Sequence, residues 1–164
     1  MNDADTKRRN LEQQALEGFK EVAKRYTENV NFGHNNENKI AELGRSSFQF
    51  GDLRVNTPNR HIIVEVESAG GVTNLVKYWY CLEEGLIVKP IYLFHLFAQA
   101  SANDYRSHLQ LWDFLAEKMR KALGNKFSAE KYTYRNSAEL ENIVNEFKRA
   151  MEEDFDISHL ERQV

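Results

Sequence analysis

The chain has 164 residues, enough for one ordinary domain with a full core, and its 41% hydrophobic and 29% charged content excludes a disordered chain. A formal charge of −3 argues against a surface that is basic all over, and a single cysteine, Cys81, excludes an internal disulfide and a cysteine-based zinc site. The longest apolar run, residues 91–98, is broken by His95 and falls short of a membrane span, and the polar N-terminus lacks the character of a secretory signal, so no membrane and cytoplasmic residence are expected.

Residues 6–25 read as a helix, with Leu11, Ala15, Leu16, Phe19, Val22 and Ala23 at helical spacing. The Asn-rich segment 27–36 reads as a loop, and residues 37–43 as a short helix stopped by Gly44. Residues 46–55 read as a strand with a fault, because Phe48 and Phe50 share one parity while Leu53 and Val55 share the other. A bulge at Gly51 would bring all four onto one face and turn Asp52 to the opposite face. The turn sequence Asn56-Thr-Pro-Asn59 then makes 46–55 and 60–68 an antiparallel hairpin.

A helix over 72–84 follows the Ala69-Gly-Gly71 connection, with Val72, Leu75, Val76, Trp79 and Leu82 as its expected buried stripe. Residues 86–97 read as a strand covered on both faces. A helix over 103–123 is expected to bury Leu109, Trp112, Leu115, Ala116 and Met119. A short edge strand over 131–134 and a helix over about 137–153 complete the order. The chain therefore divides into a helix and loop (1–36) packed on the core, an α/β domain (37–155) with a mixed central sheet flanked by helices, and a frayed tail (156–164).

The stretch His61-Ile-Ile-Val-Glu-Val-Glu-Ser68 carries the most chemistry. On a strand Ile62, Val64 and Val66 point one way, and Ile63, Glu65 and Glu67 the other, with the two carboxylates about 7 Å apart. Carboxylates on an apolar strand must be compensated. A divalent cation is one such partner, a Lys or Arg for each Glu is another, and a wetted face would avoid the penalty. Asp52, on the neighbouring strand, is expected to share the face of the pair, although a turn residue beside Gly51 would also be Asp. His95 reads as a satisfied core or rim histidine, and Tyr78-Trp79-Tyr80 as core more than a stacking platform. Lys118, Arg120, Lys121, Lys126, Lys131 and Arg135 form a late basic cluster that suits either a phosphate backbone or a solvated helix end.

Three segments in this order, Glu37-Asn-Lys-Ile-Ala-Glu-Leu-Gly44, Gly51-Asp52 and Val64-Glu65-Val66-Glu67-Ser68, resemble the PD-(D/E)XK nuclease superfamily over residues 37–97. The resemblance implies a restriction-endonuclease-like core, hydrolysis of DNA phosphodiesters, and Mg²⁺ or Mn²⁺ as cofactor. It implies Asp52 and Glu65 as metal ligands, with Glu37 as the accessory acid on the first core helix. Glu67 stands where the family usually carries Lys; Lys77 on the next helix offers a replacement for it, although Lys77 also reads as a solvated surface lysine on an amphipathic helix. A homodimer is the assembly expected of a small nuclease that cuts two strands. The other reading of the same fold is a catalytically inactive nucleic-acid-binding or protein-interaction module.

Overall fold

The computed structural model describes residues 2–33, 35–43, 46–69 and 71–155. Helix α1, Asp3–Lys24, is capped by the Asn2 side chain, which accepts from the Asp5 amide at 2.8 Å. Its Leu11, Ala15, Phe19, Val22 and Ala23 are buried along one stripe. Strand β1, Val30–Phe32, follows, and then a 3₁₀ turn at Asn36–Asn38. Strands β2, Lys39–Leu43, and β3, Ser46–Gln49, pair antiparallel as a separate ribbon. After them come β4, Leu53–Asn56, β5, His61–Glu67, α2, Thr73–Glu83, and β6, Ile91–Ala98. Helix α3, Arg106–Leu123, β7, Phe127–Tyr134, and α4, Ser137–Phe155, complete the order.

The main sheet runs β1-β4-β5-β6-β7. Its first two pairings are antiparallel and its last two parallel, so this is the expected α/β class with a mixed five-strand sheet and flanking helices. Period-2 alternation divides β5 as expected. Ile62, Val64 and Val66 join α1, α4, Phe94 and Leu96 in one apolar cluster, while Ile63 joins α2, α3, Leu93 and Phe97 in the other. The sheet is thus the middle layer of three.

Several expectations need correction. Residues 39–43 form a strand, not a helix. Seven residues are too few to stabilise a helix in isolation, and the partner strand 46–49 pairs with Lys39, Glu42 and Leu43, while Ile40 is buried in the cluster that also holds Phe50. Segment 46–55 is two strands rather than one bulged strand, broken at Gly51, whose φ is 87°. Phe48 and Phe50 therefore pack on the α2–α3 side, and Leu53 and Val55 on the α1–α4 side, so the four never share a face. The loop 27–36 contains β1, too short and polar to give a periodic signal. Strand β7 starts four residues earlier than expected, since Phe127 and Ala129 point inward between exposed Ser128 and Glu130. On α2 the buried stripe is Leu75, Tyr78, Cys81 and Leu82, while Val76 is half exposed. Gly44 as a helix stop and the tail 156–164 lie outside the described residues.

Candidate active site

The break at Gly51 sets the site. Asn38, fully buried, donates its side-chain amide to the carbonyls of Gly33 (3.1 Å) and Gly51 (2.9 Å), tying the 3₁₀ turn to both chain ends that flank it. One residue on, Asp52 immediately precedes β4, whose first residue Leu53 pairs with Val64, so it lies beside the Val64–Val66 stretch of β5. Its amide donates to the Val64 carbonyl at 3.0 Å. Its carboxylate, not its carbonyl, then receives the next ladder amide, from Val66 at 2.8 Å. The carbonyl is engaged on the other side, by the Gly33 amide at 3.0 Å. Gln49 donates to the second carboxylate oxygen at 3.3 Å.

Glu65 is only 3% exposed. Its Oε1 accepts from Lys77 Nζ at 2.8 Å and from the Tyr78 hydroxyl at 2.5 Å. Helix α2 crosses behind β5 and presents these consecutive residues because Tyr78 is drawn fully into the core. Burial, followed by the charge and hydrogen bond of Glu65, pushes the Tyr78 hydroxyl well above its ordinary pKa, which keeps it a donor.

Glu67 is held from three directions: by Asn74 Nδ2 at 2.9 Å, the Gly71 amide at 3.3 Å and His95 Nε2 at 3.2 Å. The His95 Nδ1 accepts from the Trp112 indole N–H at 2.9 Å. An indole only donates, so these partners assign the proton of a neutral His95 ring to Nε2, facing Glu67. Burial works to raise Glu67, but its hydrogen bond and electrostatic attraction to His95, with the Gly71 and Asn74 bonds, outweigh it and hold this carboxylate below its ordinary value. Asp52 behaves in the opposite sense. Burial first, then the charge of Glu65, then those of Glu12 and Glu67, push it up to about 7 against the opposing Val66 amide.

On the α1 side Asp52 opens into a cleft of about 650 Å³ whose walls include Arg9, Glu12, Leu16, Lys20, Phe32 and Ser68. Tyr105, in the left-handed region with φ 64°, donates its hydroxyl to the Ser68 carbonyl at 2.6 Å and fixes the end of β5 at the cleft floor.

The structure brings together Asp52, Glu65, Glu67 and Lys77 of the expected residues. Lys77 lies on Glu65, while Glu67 lies on His95. Glu37, expected as the accessory acid on a core helix, instead sits exposed on the 3₁₀ turn, where its amide donates to Asn35 Oδ1 at 3.4 Å and its carbonyl accepts from Arg54 Nη2 at 2.8 Å. Among the described residues no three His, Cys, Asp or Glu side chains form a group that could hold an ion by themselves. Glu12, Tyr78 and His95 belong to the site and carried no motif. Glu12 lies on a helix whose apolar stripe was its only signal, and a core histidine becomes informative only once its partners are known. Comparison with known proteins found no match among family models, curated proteins or solved structures.

Proposed function

We propose that the chain is a metal-dependent nuclease with a restriction-endonuclease-like core, hydrolysing DNA phosphodiesters at Asp52, Glu65 and Lys77. The observation that carries this reading is Lys77 Nζ on Glu65 at 2.8 Å, with Asp52 just ahead of the facing strand. The position two residues after Glu65 lacks the usual lysine, and the following helix supplies one to the same carboxylate. Part of the expected chain order is kept, with Asp52 just ahead of β4, the Glu-x-Glu strand β5, helix α2 and the parallel strand β6, while the core helix expected over 37–43 is a 3₁₀ turn and a strand.

The residues fit a hard divalent ion. Asp52 and Glu65 each offer a carboxylate, and the rise of Asp52 to about 7, caused first by burial and then by the charge of Glu65, is one that a cation would relieve. Mg²⁺ takes one or two carboxylates and completes its shell with waters and substrate oxygens, so a third protein carboxylate is not required. When bound, such an ion lowers the pKa of its water and neutralises phosphate oxygens. The chain's own part is positional. Tyr78 and Lys77 fix Glu65 Oε1 and leave Oε2 as the second acceptor. The Lys77 ammonium, 13% exposed at its side chain, is placed to orient the attacking water or to meet charge developing on phosphate. Glu67, pinned by His95, sets the electrostatics behind the pair.

The test is calorimetric titration of Mn²⁺ into the wild type and into Asp52→Asn and Glu65→Ala, beside incubation with plasmid and linear DNA. Saturable binding and cleavage in the wild type, both absent in the variants, are expected. Lys77→Ala should keep the ion and lose cleavage by 100-fold or more. Silence of the wild type in every arm, DNA present or not, sinks the enzyme. One observation favours the second reading, an inactive binding module: Glu65 is nearly inaccessible with one oxygen taken by Lys77 and Tyr78. That reading expects no Mn²⁺ heat and DNA binding indifferent to EDTA.

A further inference from the structure

Phe32, like Tyr80 and Phe114, is an exposed aromatic residue. It ends β1 with 39% of its surface exposed, inside the cleft that Asp52 opens into. It pairs with Leu53 across the strands, so Asp52 is one residue further along, and the Gly33 amide bonds the Asp52 carbonyl. The Lys20 ammonium lies 3.9 Å from the centre of the Phe32 ring. Along α1 the wall residues Arg9, Leu16 and Lys20 fall on one face, with the backbone positions of Arg9 and Lys20 about 16 Å apart by helical rise. Glu12 and Glu17 also stand in this wall, and Glu17 accepts from Gln13 at 3.2 Å.

We infer that this cleft binds an unpaired nucleotide next to the scissile phosphate, its base stacked on Phe32 and its backbone held by Lys20 and Arg9. The chain would then act on single strands, frayed ends or flaps in preference to intact duplex. An exposed aromatic ring with cations beside it is what sequence-tolerant single-strand binding uses, since every base has a face to stack. The volume, about 650 Å³, is in the range of small-molecule pockets. It admits a nucleotide or two and is too small for a base-paired helix. The inference rests on the nuclease reading for the role of Asp52, but the cleft's preference is measured without it.

The experiment is fluorescence anisotropy of a labelled oligo(dT) and of a blunt hairpin duplex. Ca²⁺ replaces Mg²⁺, and the proteins are the full chain and its Phe32→Ala, Phe32→Trp and Lys20→Glu variants, each checked for folding by its melt. The wild type should bind the single strand more tightly than the duplex. Phe32→Ala should weaken oligo(dT) binding about 5- to 100-fold, and Phe32→Trp should restore it. Lys20→Glu should make the salt dependence shallower by about one unit of slope. Equal affinity for duplex, no loss in Phe32→Ala, or no binding of either probe overturns the inference. Cleavage that survives unchanged in Phe32→Ala overturns the cleft while leaving the nuclease standing. Phe32-dependent binding in a chain that cuts nothing does the reverse.

Discussion

Asp52 holds its proton up to about pH 7 because burial and the charge of Glu65, reinforced by Glu12 and Glu67, all oppose its ionisation. Its ordinary value is 3.8, so the folded value is the raised one. The stability linked to it is whole below about pH 4 and is lost as the pH rises through 7. Asp52→Asn, melted in EDTA, should therefore be more stable than the wild type at pH 8. The gain is roughly 3 kcal/mol once about 1 kcal/mol is set aside for the Gln49 amide facing the new carboxamide. It should shrink as the pH is lowered to 5, and thermal melts at the two pH values decide it; a gain flat in pH would assign the effect to packing. Of the residues around Asp52, Glu65 and Glu67 were legible in the sequence because a carboxylate every second position on an Ile/Val strand needs an explanation. Tyr78 and His95 were not legible, because a lone tyrosine or histidine in an apolar run has the composition of ordinary core.

At the scale of elements, the divide between what was legible and what was not follows length and periodicity. Helices α1, α3 and α4 repeat their apolar stripe over several turns, and β5 alternates over seven residues, so pattern alone located them. Strands β1 and β2 have three and five residues and owe their state to partners found only in space. Gly51 shows why a shared face was expected and not found. A bulge keeps a strand running, whereas a left-handed residue with a carbon 2.5 Å from any added Cβ ends one strand and starts another. Gly51→Ala must push Ile63 away and adopt a disfavoured φ, and is expected to destabilise the fold by about 2 to 4 kcal/mol. Urea titration measures this; a loss below 1 kcal/mol would mean that the turn relaxes into another conformation.

The whole molecule has two apolar layers either side of one sheet, and α4 is fastened to the far end of the β4–β5 hairpin by a polar clamp. Asp154 accepts from Arg60 Nε and Nη2, each at 2.9 Å, and from the Thr57 hydroxyl at 2.7 Å. Asp154→Ala strands both partners, with the arginine still partly wetted, so a loss of about 2 kcal/mol is expected by chemical denaturation. Amides of β5 and β6, covered on both faces, should exchange hydrogen only by global unfolding. Those of the β2–β3 ribbon should open far below that free energy, and equal protection of ribbon and central strands would contradict the layered account. The ribbon leads to a different kind of consequence. The chain leaves the main sheet at Gly33 and re-enters it at Gly51, and the neck between them is closed by the Asn38 carboxamide, which bonds both glycine carbonyls, together with the Gly33 amide on the Asp52 carbonyl. Seen as an architecture open to descent or to engineering, everything beyond that neck is an exchangeable cassette. Doubling its length would cost only about 0.6 kcal/mol in loop closure, so long as Ile40 and Phe50 still reach the core and the asparagine at its base is kept.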